Sequence, residues 1–277
     1  MNHIAINFDQ IKDIAYRGVR RTAAFMGLGI NAARDNQFKK YQLSNISIVQ
    51  ILPDKVDDNS IAHVKEEFEK WVISNGLREL VESFGLFLDK VHAACLLMAT
   101  NKKQMSNEDA EKFGPAFEWK GVEDKLGTLK IRFGVSSDKA KYFSSINQAR
   151  NCITHRRGNV GPEDLRGETF RLIWWGFDIY AETPSGEKHS LKPPMPGEGL
   201  VLKEGGKVML QIKDRIIEYK IGDIVNLSPN DLGEICYLVQ LTTDDIVGTA
   251  QAYAKNIGIE ERKIERSVEQ INPVDTE

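Results

Sequence analysis

The sequence predicts an α+β protein: an α-helical bundle, then a small antiparallel β-sheet unit inserted before a C-terminal helix. Three observations predict it. Between Leu77 and Met98 apolar residues (Leu77, Leu80, Val81, Phe84, Phe87, Leu88, Val91, Cys95, Met98) recur with a period near 3.6, as on the core face of a bundle helix. After Pro162 the period changes, and Phe170–Glu182 (FRLIWWGFDIYAE) is rich in the aromatic and β-branched residues that fit a pleated surface. From Ser228-Pro229 a helical pattern returns, with a capping side chain followed by proline at the first helical position. These changes divide the chain into 1–162, a bundle; 168–228, a β unit; and 229–277, a helix and tail.

Taken in order, Phe8 to Arg34 reads as a helix from the three- and four-residue spacing of Ile11, Ile14, Ala15 and Val19, with Gly27 and Gly29 weakening its end. Tyr41–Leu52 fits a short extended piece, and Pro53–Ser60 a loop whose last residue caps a helix. Ile61 to Ala99 is expected as one long helix or two, with Asn75-Gly76 the place for a break. Asn101–Pro115 reads as a polar loop with a short helix at Asn107–Lys112, and Val122–Phe133 as a helix. Ser136, Ser137 and Asp138 offer caps for the next helix, which ends near Gly158 in the position glycine favours after a C-terminus. In the β unit, Pro184–Glu187 is a turn and Pro193, Pro194 and Pro196 mark a connector. Val208–Ile212, Ile216–Ile221 and Asp223–Leu227 read as short strands. The helix from about Asn230 to Asn256 is too long for so small a sheet to cover and is expected to return to the bundle. The charged residues beyond Ile257 are expected to fray.

Composition narrows the function classes. The net charge of −3 gives no chain-wide basic field, so any nucleic-acid surface is local. Three scattered cysteines fit free thiols in a reducing compartment. Asp9, Lys12 and Asp13 interrupt any N-terminal apolar run, and the most apolar segment, Leu77–Thr100, carries five charged residues. Neither a signal peptide nor a membrane span is expected, and the location is read as cytoplasmic.

The chemistry concentrates in Ser144–Val160, SSINQARNCITHRRGNV. On a helix, Tyr142, Ile146, Ala149 and Ile153 share the buried face, and Asn147, Asn151 and His155 line the opposite one. Arg150 and His155 diverge by about 140° and are separated by roughly 7.5 Å of rise, so on one straight helix they cannot grip one atom. An imidazole can take the proton of a 2′-hydroxyl or protonate a leaving oxygen near neutral pH. A guanidinium can offset charge growing on a phosphoryl group, and Asn151 can orient either by hydrogen bonding. From Lys120 to Arg157 nine lysines and arginines face three carboxylates (Glu123, Asp124, Asp138), a local excess of +6 able to hold a polyanion. The competing reading is a polar helix face whose Arg and His pair with carboxylates.

The run Arg150-Asn151-x-x-x-His155, late in the last helix of a helical bundle, resembles the R-x4–6-H signature of the HEPN superfamily, in which a polar residue, often Asn, follows the Arg. The resemblance covers at most residues 1–160 and rests on six residues. It implies a metal-independent endoribonuclease of the kind found in toxin–antitoxin and antiviral defence systems, with a homodimer joining two motifs in one composite cleft. Arg150 and His155 would be catalytic with Asn151 assisting, and Arg156, Arg157 and Asn147 would hold RNA phosphates. No cofactor and no metal is implied. The expected partners are RNA, a second copy and an antitoxin or other regulatory protein, with no membrane. Some relatives have lost catalysis, so the alternative is an inactive RNA-binding or protein-interaction module.

Other patterns are weaker. Gly27-Leu28-Gly29-Ile30-Asn31-Ala32 has dinucleotide-fingerprint spacing but follows a helical pattern, so glycines at a helix end fit better. His92-x-x-Cys95 and Cys152-x-x-His155 have zinc-ligand spacing, yet both cysteines fall on or near apolar stripes. A Cys152–His155 nucleophilic dyad is weaker still. Of Trp174 and Trp175, alternation in a strand puts one in the core and the other at an edge or interface, where it could stack a base.

Overall fold

The computed structural model describes residues 5–39, 57–191 and 203–260. The expectations for Tyr41–Leu52, for the Pro193–Pro196 connector and for the tail beyond residue 260 lie outside these residues.

A helical hairpin forms the frame. Helix α1 (Phe8–Arg34) is capped by Asn7, whose side chain accepts from the Asp9 and Gln10 amides. Helix α2 (Asp58–Asn101) runs 44 residues without a break. Its N-cap is Asp57, accepting from the Ser60 amide, so the helix begins inside the stretch expected to be loop. Gly76 does not end it. A Cβ there would lie 2.8 Å from Leu232, and the Gly76 carbonyl accepts from the Thr22 hydroxyl. The glycine admits close neighbours, and the buried stripe from Leu77 to Met98 outweighs the roughly 1 kcal/mol that glycine costs inside a helix. Gly29 does the same between the helices: its Cβ would meet Val72 at 2.6 Å. Thus the glycines of the fingerprint-like run lie within α1, and Gly29 is a helix–helix contact.

Helices α3 (Asn107–Glu118) and α4 (Val122–Phe133) follow, joined by the three-residue turn 119–121. The span expected to be mostly loop is helical from Asn107 on, with Pro115 inside α3. Gly134, at φ +68°, ends α4. Ser137 caps a 3-10 turn, Asp138–Tyr142, that leads into α5 (Phe143–Arg156).

Three strands form the antiparallel sheet, in the order β2-β1-β3. Strand β1 (Phe170–Glu182) pairs along its whole length with β3 (Lys207–Tyr219), from Phe170 opposite Tyr219 to Glu182 opposite Lys207. Strand β2 (Lys188–Ser190) adds three residues at the far end. The two strands expected at 208–212 and 216–221 are therefore one, and Asp223–Leu227 is not a strand but holds a single bridge from Ile224 to Asn159. Gly176 lets the sheet reach α6: a Cβ there would strike Glu234 Oε2 at 2.4 Å.

Helix α6 (Pro229–Asn256) has Ser228 as N-cap and Asp231 completing a reciprocal capping box. It packs on α1, α2 and β1, so the chain after the sheet does return to the bundle. One apolar cluster takes in Phe84 and Leu88 of α2, Ile146 of α5, Phe170 and Trp174 of β1, and Leu238 and Ile246 of α6. Among the described residues no helix is long and apolar enough to cross a membrane.

Candidate functional site

Helix α5 is held on three sides. Phe143, Ile146, Ala149 and Cys152 are buried, and the Phe143 ring stacks on Phe84 of α2 at 4.4 Å. Ile153, expected on this face, is only half-buried and Cys152 takes its place. Against the sheet, the Ser145 hydroxyl accepts from the Ile173 amide (3.0 Å) and donates to the Ile173 carbonyl (2.9 Å), satisfying that stretch of β1. Arg157 in the left-handed region (φ 54°) and Gly158 (φ 83°) end the helix. Beyond it, the Val160 amide donates to Asp223 and the Val225 amide to Gly158, which fixes the end of α5 to the loop before α6.

Asn147, Asn151 and His155 line an open groove of about 480 Å³, faced by Glu123 and by Glu163–Arg166. One turn apart each, they extend over about 12 Å of helix. The His155 imidazole is exposed and makes no hydrogen bond or ion pair with a described residue. Arg150 is not part of the groove lining. Its Nη1 donates to Asn151 Oδ1 at 2.9 Å, its Nη2 lies 3.4 Å from Glu82 of α2, and its Nε is buried without a partner. Arg150 therefore connects to the groove through Asn151, while His155 stands free a helical turn further on.

The two following arginines differ. Arg156 Nε donates to Asp164 Oδ2 at 3.0 Å, its Nη2 donates to Asp164 Oδ1, and Glu163 lies 3.2 Å away. Asp164 is buried and also accepts from the Gly161 amide. Its bond holds the Arg156 guanidinium above its already high value. Arg156 thus braces the groove wall, and as a phosphate ligand it would have to share its charge with two carboxylates. Arg157 is exposed and has no partner among the described residues.

The local basic excess is smaller in space than in sequence. Lys125 pairs with Asp89, Lys139 with Asp245, Arg150 with Glu82 and Arg156 with Asp164. Lys120, Lys130, Arg132, Lys141 and Arg157 remain exposed without a carboxylate partner among the described residues. In the groove itself Arg166 lies 3.5 Å from Glu123, so its two arginines are matched by three carboxylates.

The cysteines are core residues. Burial pushes the Cys95 and Cys236 thiols up to about 12. Burial foremost, then the nearby Asp164 carboxylate, raises Cys152 to about 11, and its Sγ donates to the Asn159 carbonyl. A thiol so protonated is a poor nucleophile at neutral pH. His92 stacks on Phe117 at 3.8 Å, and burial, reinforced by Arg132, Lys120 and Lys125, lowers it to about 4. Among the described residues, no three His, Cys, Asp or Glu side chains are grouped to hold a metal ion. Trp174 is the core member of its pair, donating to Glu234 at 2.9 Å, while Trp175 is half-buried against Phe177.

Sequence reasoning did not find Glu82 or Asp164. Glu82 is one polar residue among several on α2, and Asp164 follows Pro162 in what reads as a plain turn. Comparison of the chain with family models, curated proteins and solved structures gives no match.

Proposed function

We propose that the α5 groove is half of a ribonuclease site of HEPN type, completed by the same groove of a second copy. One observation carries the reading: His155 is exposed and unpaired at the end of a groove shared with Asn147 and Asn151, and Arg150 is hydrogen-bonded to that Asn151. An imidazole open to a ligand can accept the 2′-hydroxyl proton. The 2′-oxygen then bonds to phosphorus as the bond to the 5′-oxygen breaks, and that oxygen leaves with a proton. The products are a 2′,3′-cyclic phosphate and a 5′-hydroxyl. The acid for the leaving oxygen and a guanidinium facing the phosphate are what one groove lacks, since Arg150 is directed toward Asn151 and Glu82. A second copy brings the acid as its own His155, and the guanidinium is supplied when Arg150 turns from Glu82 toward the phosphate.

The test is RNA cleavage in EDTA at fixed salt, with Arg150→Ala and His155→Ala beside the parent protein. Each variant alone is expected to lose at least 100-fold in rate, the usual range for a general acid–base group, with unchanged circular dichroism. An equimolar mixture of the two, allowed to exchange subunits, is expected to stay as impaired as either variant, since a mixed dimer holds one His155 where base and acid take two. Full activity of either variant would sink the catalytic reading. The engagement of Arg150 by Glu82 and of Arg156 by Asp164 favours the second reading, an RNA-binding module without catalysis. That reading expects RNA retardation without cleavage.

A further inference from the structure

Trp119 lies in the turn between α3 and α4 and is 92% exposed. Such exposure is rare for tryptophan, whose large apolar surface normally finds cover. The protein's other exposed tryptophan, Trp71 on α2, stacks on Phe68 within an apolar run that also includes Val64. Trp119 has no such company: Glu118, Lys120 and Gly121 beside it are all exposed. An isolated aromatic ring beside a cation lacks the contiguous apolar patch of a large protein interface and offers a platform for a base.

The backbone under this ring is fixed. Phe117, two residues earlier, is buried and stacked on His92. The Lys120 amide donates to the Phe117 carbonyl, and Gly121 is the N-cap of α4, its carbonyl accepting from Lys125. Lys120 Nζ is held by the Thr128 hydroxyl at 2.8 Å, so the ammonium stays over α4. Immobilising a ligand on a platform already ordered costs little further entropy.

The turn also adjoins the groove. A Cβ on Gly121 would lie 3.8 Å from Asn147 Nδ2, and Asn147 is the first of the three groove residues on α5. Trp119, two residues before Gly121, therefore lies toward the Asn147 end of the groove, and Asn147 is about 12 Å of helical rise from His155. Arg157, exposed and without a carboxylate partner among the described residues, follows Arg156 at the His155 end.

We propose that Trp119 stacks a nucleobase of single-stranded RNA whose backbone runs along α5, with Lys120 holding a neighbouring phosphate. This rests on the RNA reading of the groove. It places recognition at an unpaired, sequence-tolerant base two helical turns from the reacting phosphate.

The experiment measures binding of a fluorescein-labelled 12-nucleotide 2′-O-methyl RNA, which lacks the attacking hydroxyl, to the full chain by anisotropy. Trp119→Ala is expected to weaken binding about 5- to 150-fold, the equivalent of roughly 1–3 kcal/mol for one stacked base. Trp119→Phe should recover most of it. With an abasic nucleotide placed at each position in turn, one position should weaken binding by the parent protein and not by Trp119→Ala. Equal binding by parent and Trp119→Ala overturns the stacking proposal and leaves the RNA reading standing. A parent protein that binds no RNA overturns both. Light scattering that finds the parent dimeric and Trp119→Ala monomeric overturns it in favour of a contact between copies.

Discussion

Glu234→Ala should be among the most damaging single substitutions outside the apolar core. Glu234 is buried on α6 and accepts from Trp174 Nε1 at 2.9 Å, from Arg215 Nε at 3.1 Å and from Arg215 Nη2 at 2.8 Å. Trp174, itself buried, would lose its acceptor, at about 1–3 kcal/mol. Arg215 keeps Asp178 and the Phe177 carbonyl, so its loss is partial. A total of roughly 3–5 kcal/mol matches what removing one member of a buried pair usually costs. At about 2–4 °C per kcal/mol for a chain of this size, the melting midpoint should fall by roughly 6–20 °C. The assay is thermal unfolding followed by circular dichroism, with Glu234→Gln, which keeps an acceptor for Trp174, as a control expected to lose less. The pH dependence is a second check. Burial alone would raise the Glu234 carboxyl, but the Arg215 and Trp174 bonds win and hold it below its usual value. Asp178 falls to about 2, Lys213 being the first cause. For a depressed carboxyl the stabilisation is complete above the unfolded value near 4 and disappears as pH falls through the folded one. The gap between parent and Glu234→Ala should be constant from about pH 6 to 8 and narrow below about pH 4. A midpoint within 2 °C of the parent at pH 7, or a gap that fails to narrow in acid, would refute the network's role.

Two neighbouring glycines of α1 should respond in opposite directions. Gly29→Ala puts a methyl 2.6 Å from Val72 and should destabilise by roughly 1–3 kcal/mol, whereas Gly27→Ala meets nothing within 4 Å and should stabilise by up to about 1 kcal/mol. Thermal melts of both check it, and equal effects would contradict the helix packing. RNA binding should have a shallow salt dependence. With the five exposed unpaired cations of residues 120–157 as the contacts, the log–log slope for a single strand should lie between about −1.4 and −3.5, at roughly 0.7 per phosphate neutralised. A slope steeper than about −5 would contradict a contact limited to these five.

Features set by neighbours in sequence were legible. The Ser228-Pro229 start of α6 is read from a side chain within a turn of the backbone amide it satisfies, and α4 has the expected bounds, between Gly121 and the left-handed Gly134. Features decided by distant partners were not. Strand β3 reads as two because Lys213-Asp214-Arg215 interrupts its apolar alternation. Each of those charges is satisfied far along the chain: Lys213 by Asp178, Asp214 by the Tyr142 hydroxyl, Arg215 by Asp178 and Glu234. Asn75-Gly76 looks like a helix break until Leu232, more than 150 residues later, is seen to need the space.

The site follows the same division, and the division has a consequence for how it works. Helical spacing alone placed Asn147, Asn151 and His155 on one side of α5 and turned Arg150 away from His155. It could not show that Glu82 and Asp164 engage Arg150 and Arg156, because those carboxylates arrive from α2 and from the turn after α5. Removing that positive charge from solvent leaves the groove near electrical balance and its free cations at the two ends, Lys120 and Arg157. A single strand would then be gripped at its flanks and stay mobile over Asn151 and His155, where chemistry would need a fixed phosphate. Arg150, beside the groove and bonded to Asn151, would supply that fixation once freed from its 3.4 Å contact to half-exposed Glu82, which costs little to release. On the proposed ribonuclease reading, catalysis as distinct from binding would then depend on release of Arg150 from Glu82 when a second copy closes over the groove.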